Sequence, residues 1–332
     1  MKNVGIIGAG SWGIALANLL ANNGLQVTVW SIIEDEIKML KENNEHLDKL
    51  PGVKLNPTIE YTTNLEEACK GKDFLVLAVP SPFTRSTSHN MKDYVADGQI
   101  IVNVAKGIEE KTLMTLSQII EEEIPQANVC VLSGPSHAEE VGRGLPTTVV
   151  VGSKNQETAE ALQDAFMNEF FRVYTSNDIL GIELGAALKN VVALAAGIAD
   201  GLGCGDNAKA ALITRGIAEI GRLGIAMGGK FETFCGLTGI GDLIVTCASM
   251  HSRNRRAGIL IGQGKTYDEA MAEVKMVVEG VYSAKAAMGL SKKYGIDLPI
   301  IEQVNLILFE NKSASGVMKD LMARDKKDEY IK

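Results

Sequence analysis

The amino-acid sequence predicts an α/β domain with a doubly wound parallel sheet, followed by an all-α domain. Short β-branched runs alternate with helical patterns through the first half of the chain, a glycine-rich turn follows the first run, and the strand pattern stops near residue 178. A chain of 332 residues is also longer than one hydrophobic core usually organises. We therefore expect two domains, over residues 1–176 and 177–332.

The strands of the first domain are predicted from short apolar runs. Residues 74–79 are apolar at every position, as expected for a strand that is buried on both faces of a parallel sheet. The predicted strands are residues 3–8, 26–30, 73–79, 99–104, 128–132, 147–151 and 171–174.

The second domain is predicted to be helical throughout. Its segments are rich in Ala, Leu, Ile and Gly with helical periodicity, and glycine clusters near residues 201–205, 228–229, 236–241 and 262–264 separate them. The longest apolar stretch, residues 191–199, is far shorter than the roughly 20 residues that cross a bilayer. We therefore predict no membrane span.

Composition narrows the classes of partner. The net charge of −8 argues against a nucleic-acid-binding protein, because such a surface needs clustered basic residues. The five cysteines form no CxxC pair and the chain enters a strand pattern at residue 3, which favours reduced thiols and no export signal. The four histidines show no metal-ligand spacing. We expect a cytoplasmic protein without a metal site.

A glycine motif follows the first predicted strand and opens a helix. In this motif Gly8 permits a tight turn, Gly10 lets the backbone approach a pyrophosphate, and Gly13 lets helix and strand pack closely. Ser11 and Trp12 lie between them, at a helix N-terminus whose N–H groups can bind phosphate. The motif alone is weak evidence, but strand, turn and helix coincide here, so we predict a Rossmann domain that binds NAD or NADP.

The end of the second strand leaves the choice between NAD and NADP open. After Trp30 the chain continues Ser31-Ile32-Ile33, which offers neither an acid for the adenosine 2′-hydroxyl nor a base for a 2′-phosphate. The acids Glu34 and Asp35 follow, and they equally suit the first turn of a helix.

Two further strand ends carry candidate polar groups. In open α/β sheets ligands bind beyond the carboxyl ends of the strands, which is where Lys106, Gly134 and Ser136 fall. Each has an alternative interpretation, since a loop lysine is often solvated and Ser136 suits a helix N-cap. His137 suits a proton donor, but a single histidine near a helix start is more often structural.

The helical domain contributes a candidate base. Lys189 and Asn190 interrupt an otherwise apolar helix, and burial lowers the pKa of a lysine, as a general base requires. The alternative is a polar stripe that faces solvent. Asp242, in a glycine-rich turn, would orient Lys189 or a substrate hydroxyl, or else cap the following helix.

A basic segment begins another predicted helix. Ser252, Arg253 and Asn254 combine hydroxyl, guanidinium and amide donors with free helical N–H groups, which suits a phosphate. The alternative is that the arginines are simply solvated. Arginines oppose the dipole at a helix N-terminus, so their placement needs a compensating reason, and a bound anion is one.

These motifs together resemble one family, the bacterial-type NAD(P)-dependent glycerol-3-phosphate dehydrogenases. The similarity extends from residue 4 to about residue 320, in the family's order. The matching segments are residues 8–13, 105–109, 134–136, 188–191, 205–211, 237–242 and 251–258.

The resemblance implies reversible hydride transfer between glycerol 3-phosphate and dihydroxyacetone phosphate, with Lys189 as proton acceptor, to supply phospholipid synthesis. The implied substrate contacts are Lys106, Gly134, Ser136, Lys189, Asp242, Ser252, Arg253 and Asn254. The implied cofactor contacts, besides the glycines, are Ser11, Trp12, Lys106, Ala138, Arg253, Val277 and Glu279. Val277 and Glu279 rest on resemblance alone and would otherwise be interpreted as core and surface.

Some alternatives stay open at this stage. Many relatives have His or Arg at position 32, so Ile32 leaves an NADP preference in doubt. A related hydroxy-acid dehydrogenase would keep the glycine motif and Lys189 without the phosphate segment. A non-catalytic dinucleotide sensor would not need Lys189 at all. The oligomeric state is undecided, and a homodimer is one option.

Overall fold

The first domain is built on one eight-stranded sheet. The structure is a computed structural model that describes residues 1–326, 328 and 329, so the end of the predicted second domain lies outside the described residues. The strands are β1 (Asn3–Ile7), β2 (Gln26–Trp30), β3 (Glu60–Thr62), β4 (Phe74–Leu77), β5 (Ile100–Asn103), β6 (Asn128–Ser133), β7 (Thr147–Gly152) and β8 (Phe171–Ser176).

Helices bury both faces of this sheet. One face packs against α1 (Ser11–Asn22), α2 (Glu34–Asn43), α6 (Ala138–Gly142) and α7 (Gln156–Phe166). The other packs against α3 (Leu65–Cys69), α4 (Thr84–Met91) and α5 (Leu116–Glu123). Apolar side chains from alternate positions of each central strand enter the two layers, which explains why the strands read as continuous apolar runs.

The strand order is β3-β2-β1-β4-β5-β6-β7-β8, and the order reverses between β1 and β4. Every described pair is parallel except β6 with β7. The prediction of a doubly wound, mostly parallel sheet is confirmed, but parallel pairing of β6 with β7 was wrong. Their connection contains only the five-residue helix α6, which is too short to return the chain along the sheet. The sequence also missed β3, whose three residues form no β-branched run.

The second domain is helical, as predicted, within the part of the chain that the structure describes. Its helices are α8 (Ile179–Gly201), α9 (Gly205–Ala226), α10 (Phe231–Phe234), α11 (Asp242–Ala248), α12 (Arg253–Gly262), α13 (Tyr267–Val274), α14 (Glu279–Tyr294), α15 (Pro299–Phe309) and α16 (Ala314–Met322). A π-helical turn, Leu237–Gly241, leads into α11. The predicted glycine clusters fall at helix ends or in this turn.

Helix α8 is the centre of the helical domain. By length and composition α8 and the segment Phe231–Ala248 could each cross a membrane, yet 94% of the apolar window of α8 is buried inside the protein. Its side chains pack against α9, α11, α12, α14 and α15. The apolar character of α8 is therefore explained by its place in a protein core.

Four glycines bring α8 and α12 into close contact. A Cβ atom on Gly197 would lie 2.1 Å from the Arg255 carbonyl oxygen, and one on Gly258 would lie 2.2 Å from that of Leu194. Gly201 and Gly262 make the same kind of approach one turn further on. We call these four residues the glycine seam. It holds the N-terminus of α12 close to the middle of α8, where Lys189 and Asn190 lie.

Candidate active site

The carboxyl ends of the parallel strands face the helical domain and form the edge at which the predicted site residues lie. The strand order reverses between β1 and β4, which is where doubly wound sheets bind ligands in a crevice. The loops after β5 and β6 approach α8 and α11 across this crevice, because Lys106 and Lys189 share one carboxylate partner. The site thus lies between the two domains.

The glycine motif has the geometry that a dinucleotide requires. Gly8 adopts a φ of +120°, which an L side chain rarely adopts, and a Cβ on Gly13 would lie 2.1 Å from the Gly8 carbonyl oxygen. Gly10 is the N-cap of α1, has no side-chain capping bond, and borders open space. The first turn of α1 holds no acid, so its free N–H groups suit a pyrophosphate.

The neighbours of this turn complete the first half of the site. Ser11 and Trp12 are the first residues of α1, and Trp12 packs partly against the core. Ala138 is buried at the start of α6, which packs against α1. No hydrogen bond or ion pair joins the glycine motif to Lys189 among the described residues, so a ligand would have to connect the two halves.

A buried carboxylate that the sequence analysis overlooked lies shortly after β2, in the first turn of α2. Glu36 accepts a hydrogen bond from Ser31 Oγ at 2.6 Å, lies 3.1 Å from His46 Nε2, and pairs with Lys49. Burial alone would raise the pKa of Glu36, but these hydrogen bonds lower it to about 2. Lys49 is thus already paired with a carboxylate. The side chain of Ile32, which directly follows Ser31, is 76% exposed.

Lys189 lies at the centre of the second half of the site. Its Nζ donates to Asp242 Oδ1 at 2.8 Å and to Thr246 Oγ1 at 2.6 Å. The Thr246 hydroxyl in turn donates to the Asp242 carbonyl oxygen at 2.6 Å. Lys106 Nζ holds the other carboxylate oxygen, Asp242 Oδ2, at 2.6 Å. Because Lys189 and Asp242 are buried, a solvent-facing polar stripe is excluded for this helix.

The charges of this cluster set its protonation. Burial lowers the pKa of Lys189 to about 8; the negative charge of Asp242 opposes the shift, and the positive charge of Lys106 adds to it. Burial would raise the pKa of Asp242, but the two lysines lower it below its usual value. Lys189 therefore holds and releases a proton near neutral pH, beside a carboxylate that stays ionised.

The turn after β6 contributes backbone groups, rather than charged side chains, to the site. The Gly134 carbonyl accepts from Lys106 Nζ at 3.3 Å and from Ser136 Oγ at 3.0 Å. The N-cap of α6 is His137, and that of α11 is Gly241. The capping alternatives for Ser136 and Asp242 are therefore wrong.

The start of α12 lies next to α8. Ser252 is its N-cap, and Ser252 Oγ accepts from Arg255 N at 3.2 Å, which leaves the hydroxyl proton free to donate. Asn254 Nδ2 donates to Asn190 Oδ1 at 2.9 Å, while its Oδ1 accepts from Gly280 N at 2.8 Å. The amide of Asn254 thus positions α8, α12 and α14 relative to one another, a role that the sequence did not indicate.

Val277 and Glu279, the two residues assigned by resemblance alone, also contact residues of the site. Arg253 donates to the Val277 carbonyl oxygen at 3.0 Å. Glu279 accepts from Ser81 N at 3.1 Å and also pairs with the Ser81 hydroxyl, just beyond the carboxyl end of β4. Burial raises the pKa of Glu279 and lowers that of Arg253. Interpreting Glu279 as a surface residue was therefore wrong.

Sequence reasoning missed Glu36, Ser81 and Thr246. Thr246 had a signal, because it is four residues after Asp242 and so shares a helix face with it. Ser81 had one too, since it follows β4 at the edge of the crevice. Among the described residues, no group of three or more His, Cys, Asp or Glu side chains is placed to hold a metal ion.

A dinucleotide-binding sheet edge that faces a buried lysine of lowered pKa defines the class of the protein as a two-domain nicotinamide-dependent oxidoreductase. Models of the NAD-dependent glycerol-3-phosphate dehydrogenase N-terminus and C-terminus match residues 3–159 and 178–319. The chain belongs to the NAD-dependent glycerol-3-phosphate dehydrogenase family, which confirms the resemblance found in the sequence.

Individual relatives agree with this assignment along the whole chain. A glycerol-3-phosphate dehydrogenase [NAD(P)+] of Agathobacter rectalis is 67% identical, covering 99% of this chain and 98% of its own. One from Fusobacterium nucleatum is 62% identical, covering 98% of both. The crystal structure of glycerol-3-phosphate dehydrogenase from Coxiella burnetii superposes with a TM-score of 0.94 at 36% identity, covering 97% of this chain and 99% of that one.

Proposed function

We propose that this chain catalyses the reversible, NAD(P)-dependent oxidation of sn-glycerol 3-phosphate to dihydroxyacetone phosphate. The observation that carries the proposal is the contact of Lys189 and Lys106 with one buried carboxylate, Asp242, at the carboxyl edge of a dinucleotide-binding sheet. This arrangement supports the proposal because a base of lowered pKa would there meet a ligand at the nicotinamide end of a bound dinucleotide.

The cofactor would lie across the crevice between β1 and β4. Gly8, Gly10 and Gly13 with the N–H groups of Ser11 and Trp12 would bind its pyrophosphate, and Ala138 would lie alongside. Lys106, Arg253, Val277 and Glu279 would border its nicotinamide end. When bound, the nicotinamide accepts or supplies the hydride.

Lys189 would move the proton of the reaction. As the neutral amine, its Nζ takes the proton from the C2 hydroxyl of glycerol 3-phosphate, and as the ammonium it returns that proton to the C2 oxygen of the ketone. Asp242 and Thr246 fix the direction of Nζ through their two hydrogen bonds. Lys106 keeps Asp242 ionised and adds positive charge near the C2 oxygen.

The phosphate would bind at the start of α12. The Ser252 hydroxyl, the Arg253 guanidinium and the free N–H groups of the first helical turn are donors there, beside the positive end of the helix dipole. Asn254 would support this turn through its bonds to Asn190 and Gly280. Gly134 and Ser136 would border the substrate from the opposite domain.

The proposal extends to the preferred cofactor, NADH. The buried Glu36 stays ionised close to Ser31, and its charge opposes a second phosphate at the adenosine 2′ position. Lys49 is paired with Glu36 rather than free, and Ile32 offers no charge.

We infer a cytoplasmic setting in which the product glycerol 3-phosphate supplies phospholipid synthesis. A homodimer is one option for the assembly, and light scattering after size-exclusion chromatography measures its mass. The alternative of a non-catalytic dinucleotide sensor leaves the contacts of Lys189 and Lys106 with Asp242 without a purpose. A hydroxy-acid dehydrogenase leaves the donors of α12 unused.

The deciding experiment follows NADH and NADPH oxidation at 340 nm in parallel, with dihydroxyacetone phosphate as substrate and dihydroxyacetone as the control. We expect turnover only with the phosphorylated ketone, and faster turnover with NADH. Protein that binds a dinucleotide but oxidises neither cofactor would contradict the proposed reaction.

A further inference from the structure

His137 has a buried ring nitrogen that no described group satisfies. Its Nε2 is enclosed by protein and has no hydrogen-bond partner. The other described atoms in this condition are hydroxyls, four of them on Tyr61, Thr84, Ser88 and Ser283. The remaining one belongs to Ser133, which lies on the face of β6 that Val131 packs against α8. A buried polar atom without a partner is costly, so one that borders a ligand site calls for an explanation.

The surroundings of His137 are those of the candidate active site. Its segment carries Gly134, whose carbonyl contacts Lys106. Its ring lies against the ring of His251, with centroids 5.7 Å apart, and His251 directly precedes the N-cap of α12. The imidazole therefore links the turn after β6 to the helix start proposed to bind phosphate.

The imidazole is neutral at neutral pH. Burial lowers the pKa of His137, and the positive charges of Lys189 and Lys106 lower it further, whereas Glu139 and Asp242 act in the opposite sense. A neutral imidazole nitrogen can either donate or accept one hydrogen bond, depending on the tautomer. His137 is thus suited to an uncharged partner such as a hydroxyl.

The proposed substrate has one polar group that neither Lys189 nor the start of α12 would contact. Lys189 meets the C2 oxygen, and the start of α12 meets the phosphate. The primary hydroxyl on C1 remains, and it is uncharged. It would lie on the far side of C2 from the phosphate, within the crevice that the turn after β6 borders.

We infer that His137 Nε2 forms a hydrogen bond with the C1 hydroxyl of the substrate, an inference that rests on the proposed function. His137 would thereby select phosphorylated three-carbon substrates that carry a hydroxyl on C1. It would act by binding, since the proton of the reaction moves on Lys189.

The test compares dihydroxyacetone phosphate with hydroxyacetone phosphate, which has a methyl group in place of the C1 hydroxymethyl group. We expect the wild-type protein to favour dihydroxyacetone phosphate by about tenfold in kcat/KM. His137→Phe keeps an aromatic ring without the nitrogen, and it should lose about tenfold with dihydroxyacetone phosphate while hydroxyacetone phosphate changes by less than about twofold. His137→Gln places an amide near the position of Nε2 and should recover most of the loss.

The matched control is His251→Phe, which alters the exposed partner of the same ring pair. It should change both ketones by the same factor, and thermal unfolding of each variant reports whether its fold is intact. An equal loss with both ketones in His137→Phe, or a wild-type protein that does not distinguish them, would overturn the inference. These outcomes differ from failure of the proposed function, in which the wild-type protein reduces neither ketone.

Discussion

The two halves of the site consist of different kinds of chemical group. The dinucleotide half, around Gly8 and Gly13, consists of backbone that close packing and a positive φ hold in one shape. The chemical half consists of charged side chains, in which the buried Lys189 and the partly buried Lys106 both contact the buried Asp242. The first half offers N–H groups of fixed direction, whereas the second offers groups whose charge changes with a proton.

This difference decides what a substitution can do. A change in the backbone half should act on cofactor binding and, where packing is tight, on the fold. A change in the charged half should act on turnover or substrate binding and leave the glycine motif intact. Each of the following predictions tests whether the two halves respond separately.

The largest effect is expected for Lys189→Ala. Removing a general base typically lowers the rate by a factor of about 10² to 10⁴, so kcat should fall by about 10³. NADH affinity, measured by fluorescence titration, should change by less than about twofold because Lys189 does not touch the glycine motif. Lys189→Met, which keeps the side-chain volume, controls for the cavity beside Asp242. Near-normal kcat in both variants would remove Lys189 from the proposed role.

The second-largest effect, in this case on cofactor binding, is expected for Gly13→Ala. The added Cβ would lie 2.1 Å from the Gly8 carbonyl oxygen, so the turn must shift and NADH affinity should fall by about 10² together with a lower Tm. Gly10→Ala is the matched control, because its Cβ meets nothing within 4 Å. It should weaken NADH binding without lowering Tm. Unchanged binding in Gly10→Ala would place the pyrophosphate elsewhere.

Arg253→Ala tests the substrate side of the charged half. Loss of a charge-assisted hydrogen bond to phosphate costs about 2 kcal/mol, so KM for dihydroxyacetone phosphate should rise by about thirtyfold. Arg256, three residues further on and exposed, is the control, and Arg256→Ala should leave KM near its original value. Equal effects of the two substitutions would indicate general electrostatic attraction instead of a phosphate site at Arg253.

The pH dependence of the reaction rate should reflect the titration of Lys189 alone. Oxidation of glycerol 3-phosphate needs the neutral amine, so its rate should rise about tenfold per pH unit up to the pKa of about 8 and then level off. Reduction of the ketone needs the ammonium, so its rate should be level below that pH and fall above it. NADH affinity measured over the same range should not follow either curve. Parallel profiles in both directions would assign the titration to another group.

The smallest effect is expected at the adenosine end of the backbone half. Ile32→Arg adds a guanidinium at an exposed position beside β2, and an exposed ion pair contributes about 1 kcal/mol, so kcat/KM with NADPH should rise about fivefold. Ile33→Arg is the control, since Ile33 is also exposed but lies one residue further along. The same gain in both variants would point to a general charge effect.

The same contrast explains how much of the molecule the sequence predicted. The glycine motif is contiguous, so strand, turn and helix could be predicted together from residues 3–22. Lys189 and Asp242 are 53 residues apart, and Lys106 and Asp242 are 136 apart. The sequence showed each as a polar residue in an unusual place and offered a contact of Asp242 with Lys189 as one alternative, but only the family resemblance indicated that all three act together.

The features that the sequence did not predict depend on context rather than on residue type. Strand β3 is held by its pairing with β2, not by its own composition. The antiparallel pairing of β7 depends on the shortness of α6. Glu279 looked like a surface acid because its partner Ser81 is 198 residues away. Contacts between residues so far apart in the sequence produce no periodic pattern in it.

The glycine seam between α8 and α12 fixes a spacing that bears on substrate length. Because backbone meets backbone there, the helix with Lys189 and the helix with Arg253 cannot easily slide or separate. The carbon that reacts and the phosphorus that anchors it must then be separated by a set number of bonds. A hydroxyalkyl phosphate one methylene longer or shorter would fill only one end of the site at a time.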